Sequence, residues 1–272
     1  MRANRVWLRA DVGMSWRSFI EKAERRDHAV QIYDGVDELA SSVGAYLANG
    51  FAAGAPGILI ATPGHRRAFE EELRARGLDP LDLRKRGLLT CRDAEETLAE
   101  LMDADGRPSA ARFEATVGAL VDGLAQRFPK RTIRAFGEMV DILSSHGDSE
   151  AAIELEGLWN DLARTRRLAL LCGYRLDIFD IEVQRGALPA VLDVHTHAQP
   201  AQDPSRLADA VDAALREIVG PIDAARIYLD VAEQHGLRRL PRGQAVLGWL
   251  STADAGIAQS VLASARRHYA AH

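Results

Sequence analysis

Between residues 28 and 174, five short apolar runs alternate with longer segments of helical period, and this alternation leaves few folds open. The runs are Ala29–Tyr33, Gly57–Ala61, Leu88–Cys91, Thr132–Phe136 and Leu168–Tyr174. After the first, Asp37 is a plausible N-cap, and Leu39, Val43, Tyr46 and Leu47 share one helical face before Gly50 stops the helix. After the second, Thr62-Pro63 starts a helix whose stripe runs through Phe69 and Leu73 to Gly77. Asp93 and Glu96 have capping-box spacing after the third. Phe113, Val117, Leu120, Val121 and Leu124 mark a long helix before the fourth run, and Ile153, Leu158, Trp159 and Leu162 mark another before the fifth. Parallel strands need crossovers that helices supply, so the reading is an α/β domain over residues 28–180, a parallel sheet of about five strands with helices on both faces.

The period then changes. Leu207, Val211, Leu215 and Ile218 form a helical stripe ended by Gly220-Pro221, and further helical segments cover 222–235, 241–251 and 253–270. Residues 181–272 read as an all-helical appendage. Residues 1–27 read as an amphipathic extension, with Trp16, Phe19, Ile20 and Ala23 at helical spacing. Trp7, Trp16, Phe19 and Ile20 at one end, and Trp249, Leu250 and Val261 at the other, are more apolar surface than one thin helical layer covers, which points to a homodimer.

With 34 Lys+Arg against 39 Asp+Glu, the net charge of −5 argues against a chain-wide footprint for nucleic acid. No run approaches the roughly 20 apolar residues of a membrane span, and the arginine-bearing start lacks a signal-peptide core, so a cytoplasmic, membrane-free protein is expected. Cys91 and Cys172 have no CxxC or Cys/His spacing and read as buried free thiols.

Ligands of open α/β sheets bind beyond the carboxyl ends of the strands. The residues there are Tyr33 and Asp34, Thr62 and His65, Arg92 and Asp93, Glu138 and Met139, and Tyr174 and Arg175. Capping and solvation account for Arg92, Asp93 and Arg175. The ligand-binding set is therefore Tyr33, Asp34, Thr62, His65, Glu138, Met139 and Tyr174, with Glu138 foremost because a carboxylate ending an apolar run needs a partner. Phosphate chemistry lacks its parts. Where a P-loop would stand, residues 34–39 offer no lysine and add Asp37 and Glu38, and no GxSxG nucleophile elbow occurs. His195 and His197 in LDVHTH look like the first-strand HxH of metal-dependent amidohydrolases. That barrel needs several more strands, whereas the remaining chain reads as helices with His235, His268 and His272. No catalytic set, cofactor or metal site is expected.

Five segments in order, His28–Asp34, Gly57–His65, Arg134–Val140, Leu155–Asn160 and Leu171–Tyr174, together resemble the MEDS domain, the methanogen/methylotroph DcmR sensory domain, over about residues 27–180. The resemblance implies a RecA-like or KaiC-like core without ATPase motifs that acts as a sensor of small hydrocarbon derivatives. KaiC-like relatives carry a glutamate pair after the second strand, where this chain has Thr62-Pro63. In the dichloromethane-responsive regulator such a domain is joined to a helix-turn-helix, and in other relatives to kinase or anti-sigma modules; none of these is recognisable here. The expectation is a non-enzymatic sensor of a small, mostly apolar ligand or a protein partner, relaying its state to a regulator. The alternatives are a degenerate nucleotide binder without hydrolysis and a metal-dependent hydrolase using the HxH pair.

Overall fold

The computed structural model describes residues 16–201, 203–234 and 240–271. Trp7, His235 and His272 lie outside them. The chain divides into two compact units, one running up to Arg175 and including Val194–His197, the other comprising Leu176–Asp193 and the chain from Ala198 onward.

The first unit is built on the sheet. Its strands are β1 (His28–Ile32), β2 (Gly57–Ala61), β3 (Leu89–Asp93), β4 (Ile133–Gly137) and β5 (Leu168–Tyr174), and a short sixth, β6 (His197–Gln199), lies beside β1. The order is β3-β2-β4-β5-β1-β6, and β1 through β5 pair in parallel. This is the α/β class expected from the sequence, with one strand more. Strands β1, β2, β4 and β5 are buried at every position, which is why they read as continuous apolar runs rather than alternating ones.

Helices α2 (Val36–Ala52) and α3 (Pro63–Ala75) cover one face, where Leu39, Val43, Leu47, Phe69 and Leu73 pack on Ala29, Leu59, Phe136 and Leu171. The opposite face carries α5 (Ala94–Leu101), α8 (Met139–Ser145) and α9 (Ser149–Thr165). Between α5 and β4, α6 (Ala110–Phe113) continues through a π-helical turn at Glu114–Gly118 into α7 (Ala119–Arg127), one long helical segment as the periodicity predicts.

Some local details differ from the sequence reading. Helix α2 begins after Gly35 rather than at Asp37, which lies in its first turn. Gly50 does not end α2; the helix runs to Ala52, and the glycine is there because a Cβ would stand 2.6 Å from Arg134 Cδ. Asp93 does cap α5, accepting from the amides of Glu95 and Glu96 at 3.0 and 3.1 Å. Helix α4 (Pro80–Lys85) was not evident in the sequence.

The second unit is helical. It holds α10 (Ile181–Arg185), most of α11 (Ala187–Val194), α12 (Pro204–Glu233), α13 (Arg242–Ala253) and α14 (Ala255–Ala270). Gly220 breaks α12 at φ 79°, where Gly220-Pro221 was read as a stop. Leu207, Val211, Leu215, Leu250 and Val261 are buried, and Trp249 is half-buried.

In the first unit, α1 (Trp16–Lys22) buries Phe19 in a stacked contact with Tyr46, ring centroids 5.2 Å apart, and Trp16, Ile20 and Ala23 pack on the same core. Of the apolar residues that pointed to a homodimer, Phe19, Leu250 and Val261 are buried within their own units, and Trp16, Ile20 and Trp249 are half-buried.

Arg134 secures this corner. Its buried guanidinium lies 5.0 Å from the Tyr46 ring centre and donates to the carbonyls of Ile20 (2.9 Å), Tyr46 (2.6 Å) and Glu21 (3.0 Å). Those acceptors lose their donor if the side chain is removed, and an unsatisfied buried polar group costs about 1–3 kcal/mol. Arg134→Ala should therefore destabilise the protein by about 2–4 kcal/mol, measured as a lower urea midpoint. An unchanged midpoint would mean that the α1 corner contributes nothing to stability.

Candidate functional site

The strand order fixes where a ligand crevice belongs. From β2 the chain moves outward to β3, and from β4 it moves the other way to β5, so connections diverge between two neighbouring strands. Such a switch point opens a crevice at the carboxyl ends of the strands. Here it lies between β2, which ends in Ala61, and β4, which ends in Gly137.

Glu138 stands there. It is the N-cap residue of α8 and only 2% exposed. The Thr62 amide donates to its Oε1, and the His65 ring meets its Oε2 through Nδ1. Thr62 is the N-cap of α3, but its hydroxyl does not cap the helix, and its amide points across the crevice. Pro63 at the first helical position fixes that turn. One carboxylate thus ties the β2–α3 corner to the β4–α8 corner. The hydrogen bond to Glu138 raises the His65 pKa above the ordinary histidine value, against the opposing effect of burial. The His65 side chain is 25% exposed, so this edge of the latch reaches solvent.

A second latch adjoins it. The Tyr33 hydroxyl donates to Asp141 Oδ2 at 2.7 Å, and the Arg175 amide donates to Asp141 Oδ1 at 2.8 Å, joining β1, α8 and β5. Burial raises the pKa of Asp141, and burial with the Asp141 carboxylate raises that of Tyr33. The His65 ring lies between Tyr33, edge-on, and Phe69, each at 5.9 Å.

The structure brings together Tyr33, Thr62, His65 and Glu138 from the set chosen by sequence. The other three are elsewhere. Asp34 is exposed in the turn before α2, Met139 is fully buried where α8 begins, and Tyr174 turns beneath the sheet to Glu156. Sequence reasoning missed Asp141, which follows Glu138 by three residues and returns to the crevice with the turn of α8.

Tyr174 belongs to a separate buried cluster between β1, β5 and α9. Glu156 is fully buried on α9; its Oε1 accepts from the Tyr174 hydroxyl at 2.9 Å, and its Oε2 lies 3.1 Å from His28 Nε2 and 3.7 Å from Cys172 Sγ. His195 Nε2 lies 3.4 Å from Glu156 Oε1. Burial would raise the carboxyl pKa, but the facing histidines outweigh it and hold Glu156 well below the usual carboxylate range. Burial, with His195 adding to it, lowers the pKa of His28, and burial with the Glu156 charge raises that of the Cys172 thiol. The sequence signal was a carboxylate on the apolar stripe of α9, one turn from Ala152 and three residues before Trp159.

The two histidines of the HxH segment do not converge. His195 joins His28, ring centroids 4.2 Å apart, whereas His197 stacks on Phe19 at 5.3 Å. The paired grip expected of an amidohydrolase strand is therefore absent from this geometry.

Cavities are found among the described residues away from the crevice. One of about 360 Å³ opens at the amino edge of the sheet beside Phe51, Leu78 and Leu88. Another, of about 570 Å³, lies in the helical unit and is lined mainly by apolar groups including Ala225, Leu229, Val231 and Leu240. Among the described residues no helix is long and apolar enough to cross a membrane.

The fold and crevice define a parallel α/β domain organised around its switch point. The chain belongs to the MEDS family, the methanogen/methylotroph, DcmR sensory domain, whose family model matches residues 27–195. The match extends past β5 to His195, so the whole buried cluster lies within it. No curated protein matches the chain.

The His65–Glu138 pair sets a pH dependence. Because the folded His65 pKa lies above its unfolded value, the stability this pair contributes is fully present below the ordinary histidine value of 6.5 and is lost as pH rises through the folded pKa. NMR titration should give His65 a pKa above 6.5, and Glu138→Gln should lower it, since the main influence that raises it is removed while burial still lowers it. An unchanged pKa in the variant would break the assignment of Glu138 as its partner.

Proposed function

We propose that this is a non-enzymatic sensory protein that reads a small, mostly apolar molecule in the crevice between the carboxyl ends of β2 and β4 and passes its state to a regulatory protein partner. Membership of a sensory family sets the class of function, and the latch on Glu138 carries the choice of site. A latch of this kind suits a switch. A ligand that packs against the exposed edge of His65 and the Tyr33 ring competes with the Glu138 contact, and weakening that contact frees the two corners it joins. Differential binding to the latched and released states is the energy that moves such an equilibrium.

The chemistry of the groups favours sensing over turnover. Glu138 and Asp141 already have partners for their oxygens. The Cys91 thiol is held protonated by burial. An activated nucleophile needs the reverse.

The mostly apolar cavity beside Tyr228 favours a second reading, in which the ligand is held by the helical unit. Arg242 lies 5.0 Å from the Tyr228 ring centre at its rim.

A thermal-shift screen with short halocarbons, alcohols and thiols separates these readings, since a ligand bound only to the folded state raises Tm. The crevice reading predicts a stabilising compound whose effect is lost in His65→Leu and kept in Leu229→Glu; the second reading predicts the reverse. Sustained hydrolysis of ATP or an ester by the pure protein, abolished by Glu138→Gln, would overturn the non-enzymatic assignment.

A further inference from the structure

The geometry points to a four-coordinate transition-metal site, fitted to zinc, formed by His28 Nε2, Glu156 Oε2, Cys172 Sγ and His195. It does not depend on the sensory reading above. One potential ligand atom from each of these four residues can be chosen so that all lie within 4.8 Å of one another, and every one of the residues is buried.

The spacing is that of a coordination shell. Zinc bonds to nitrogen and oxygen of about 2.0–2.2 Å and to sulfur of about 2.3 Å place tetrahedral ligands roughly 3.3–3.7 Å apart. His28 Nε2 lies 3.1 Å from Glu156 Oε2 and 3.4 Å from Cys172 Sγ, and Cys172 Sγ lies 3.7 Å from Glu156 Oε2. Three edges of a tetrahedron are therefore already close to their bonded lengths. His195, whose ring is 4.2 Å from that of His28, closes the fourth corner.

Hydrogen bonding outside the cluster fixes the tautomer a metal needs. Asn160 Nδ2 donates to the Val194 carbonyl at 3.0 Å, which leaves Asn160 Oδ1, an acceptor, 3.0 Å from His28 Nδ1. His28 must carry a proton on Nδ1 to make that contact. In the neutral ring its Nε2 lone pair then faces the Glu156 oxygen and the Cys172 sulfur, an electron-rich junction that a metal ion fills in place of a shared proton. An imidazole whose far N–H is anchored by an oxygen is the usual support of a metal-bound histidine, and Tyr174 anchors the other carboxylate oxygen in the same way.

The ligand types choose the metal class. Two imidazoles, a thiolate and a carboxylate suit zinc and its neighbours over magnesium or calcium. Four protein ligands and full burial describe a closed, structural site rather than a catalytic one. Its ligands come from β1, β5, α9 and the segment after α11, so the ion would clasp residues 194–197 to β1, where Thr196 already exchanges hydrogen bonds with the His28 backbone at 2.7–2.9 Å. Sequence alone points to no metal site, because it sets His195 beside His197, whereas the fold sets it beside His28.

The test is cobalt(II) and zinc(II) binding by the full chain. Purified protein, stripped with chelator and titrated with cobalt, should show an intense tetrahedral visible spectrum with a sulfur charge-transfer band, saturating at one ion per chain and displaced by zinc. Cys172→Ser should lose the charge-transfer band while Cys91→Ser keeps it. Tyr174→Phe, which removes only an outer hydrogen bond, should keep the spectrum and weaken affinity by about 10–100-fold. Wild-type protein that shows no tetrahedral spectrum, or that binds cobalt equally well after Cys172→Ser, would overturn the site.

Discussion

Two buried carboxylates, Glu138 at 2% exposure and Glu156 at 0%, impose most of the polar organisation of this domain. An ionised carboxylate removed from water is costly unless paired and hydrogen-bonded. Each has recruited its partners from elements far apart in sequence. Glu138 draws in the Thr62 amide and the His65 ring from the β2–α3 corner. Glu156 draws in His28, Tyr174 and His195, from β1, β5 and the segment after α11. Breaking either set by removing one partner leaves an uncompensated group inside the protein, so the partners are held in place as firmly as apolar core residues.

The two sets do different things because of where the sheet puts them. Glu138 sits at the switch point, where divergent connections part the loops, and its His65 partner meets solvent. Glu156 projects from α9 toward β1 and β5, and His28, Cys172, Tyr174 and His195 around it are all buried. The first arrangement reaches solvent, as the proposed response to a small molecule requires. The second is closed, as the proposed metal ion requires.

Much of the fold was legible because parallel strands buried on both faces advertise themselves as apolar runs: β5 matches its run from Leu168 to Tyr174, and β2 matches from Gly57 to Ala61. β6 was not, since three half-buried residues, His197 to Gln199, carry no such run. Gly50 misled because it serves the close approach of Arg134 rather than a helix end. For the candidate site, the structure sets Glu138, His65, Thr62 and Tyr33 side by side, as their places at the strand ends suggest. Met139 and Tyr174 turn away from them because a residue at a strand end can face into a helix layer as readily as into the crevice. His28, Cys172 and His195 were read separately as strand or connector residues, since the approach of β1, β5 and residue 195 is a property of strand order that no local spacing encodes.

Glu138 holds the β2 and β4 corners together, and the Thr62 amide reports on this contact directly. This amide has no place in the strand ladder or the helix, so its protection from solvent exchange depends on the Glu138 carboxylate. Site-resolved amide hydrogen exchange should find Thr62 protected to the level of its β2 neighbours in the wild-type protein and markedly faster in Glu138→Ala, with the β5 amides unchanged. Fast exchange at Thr62 in the wild-type protein, or equal protection in the variant, would mean that Glu138 does not hold the two corners together.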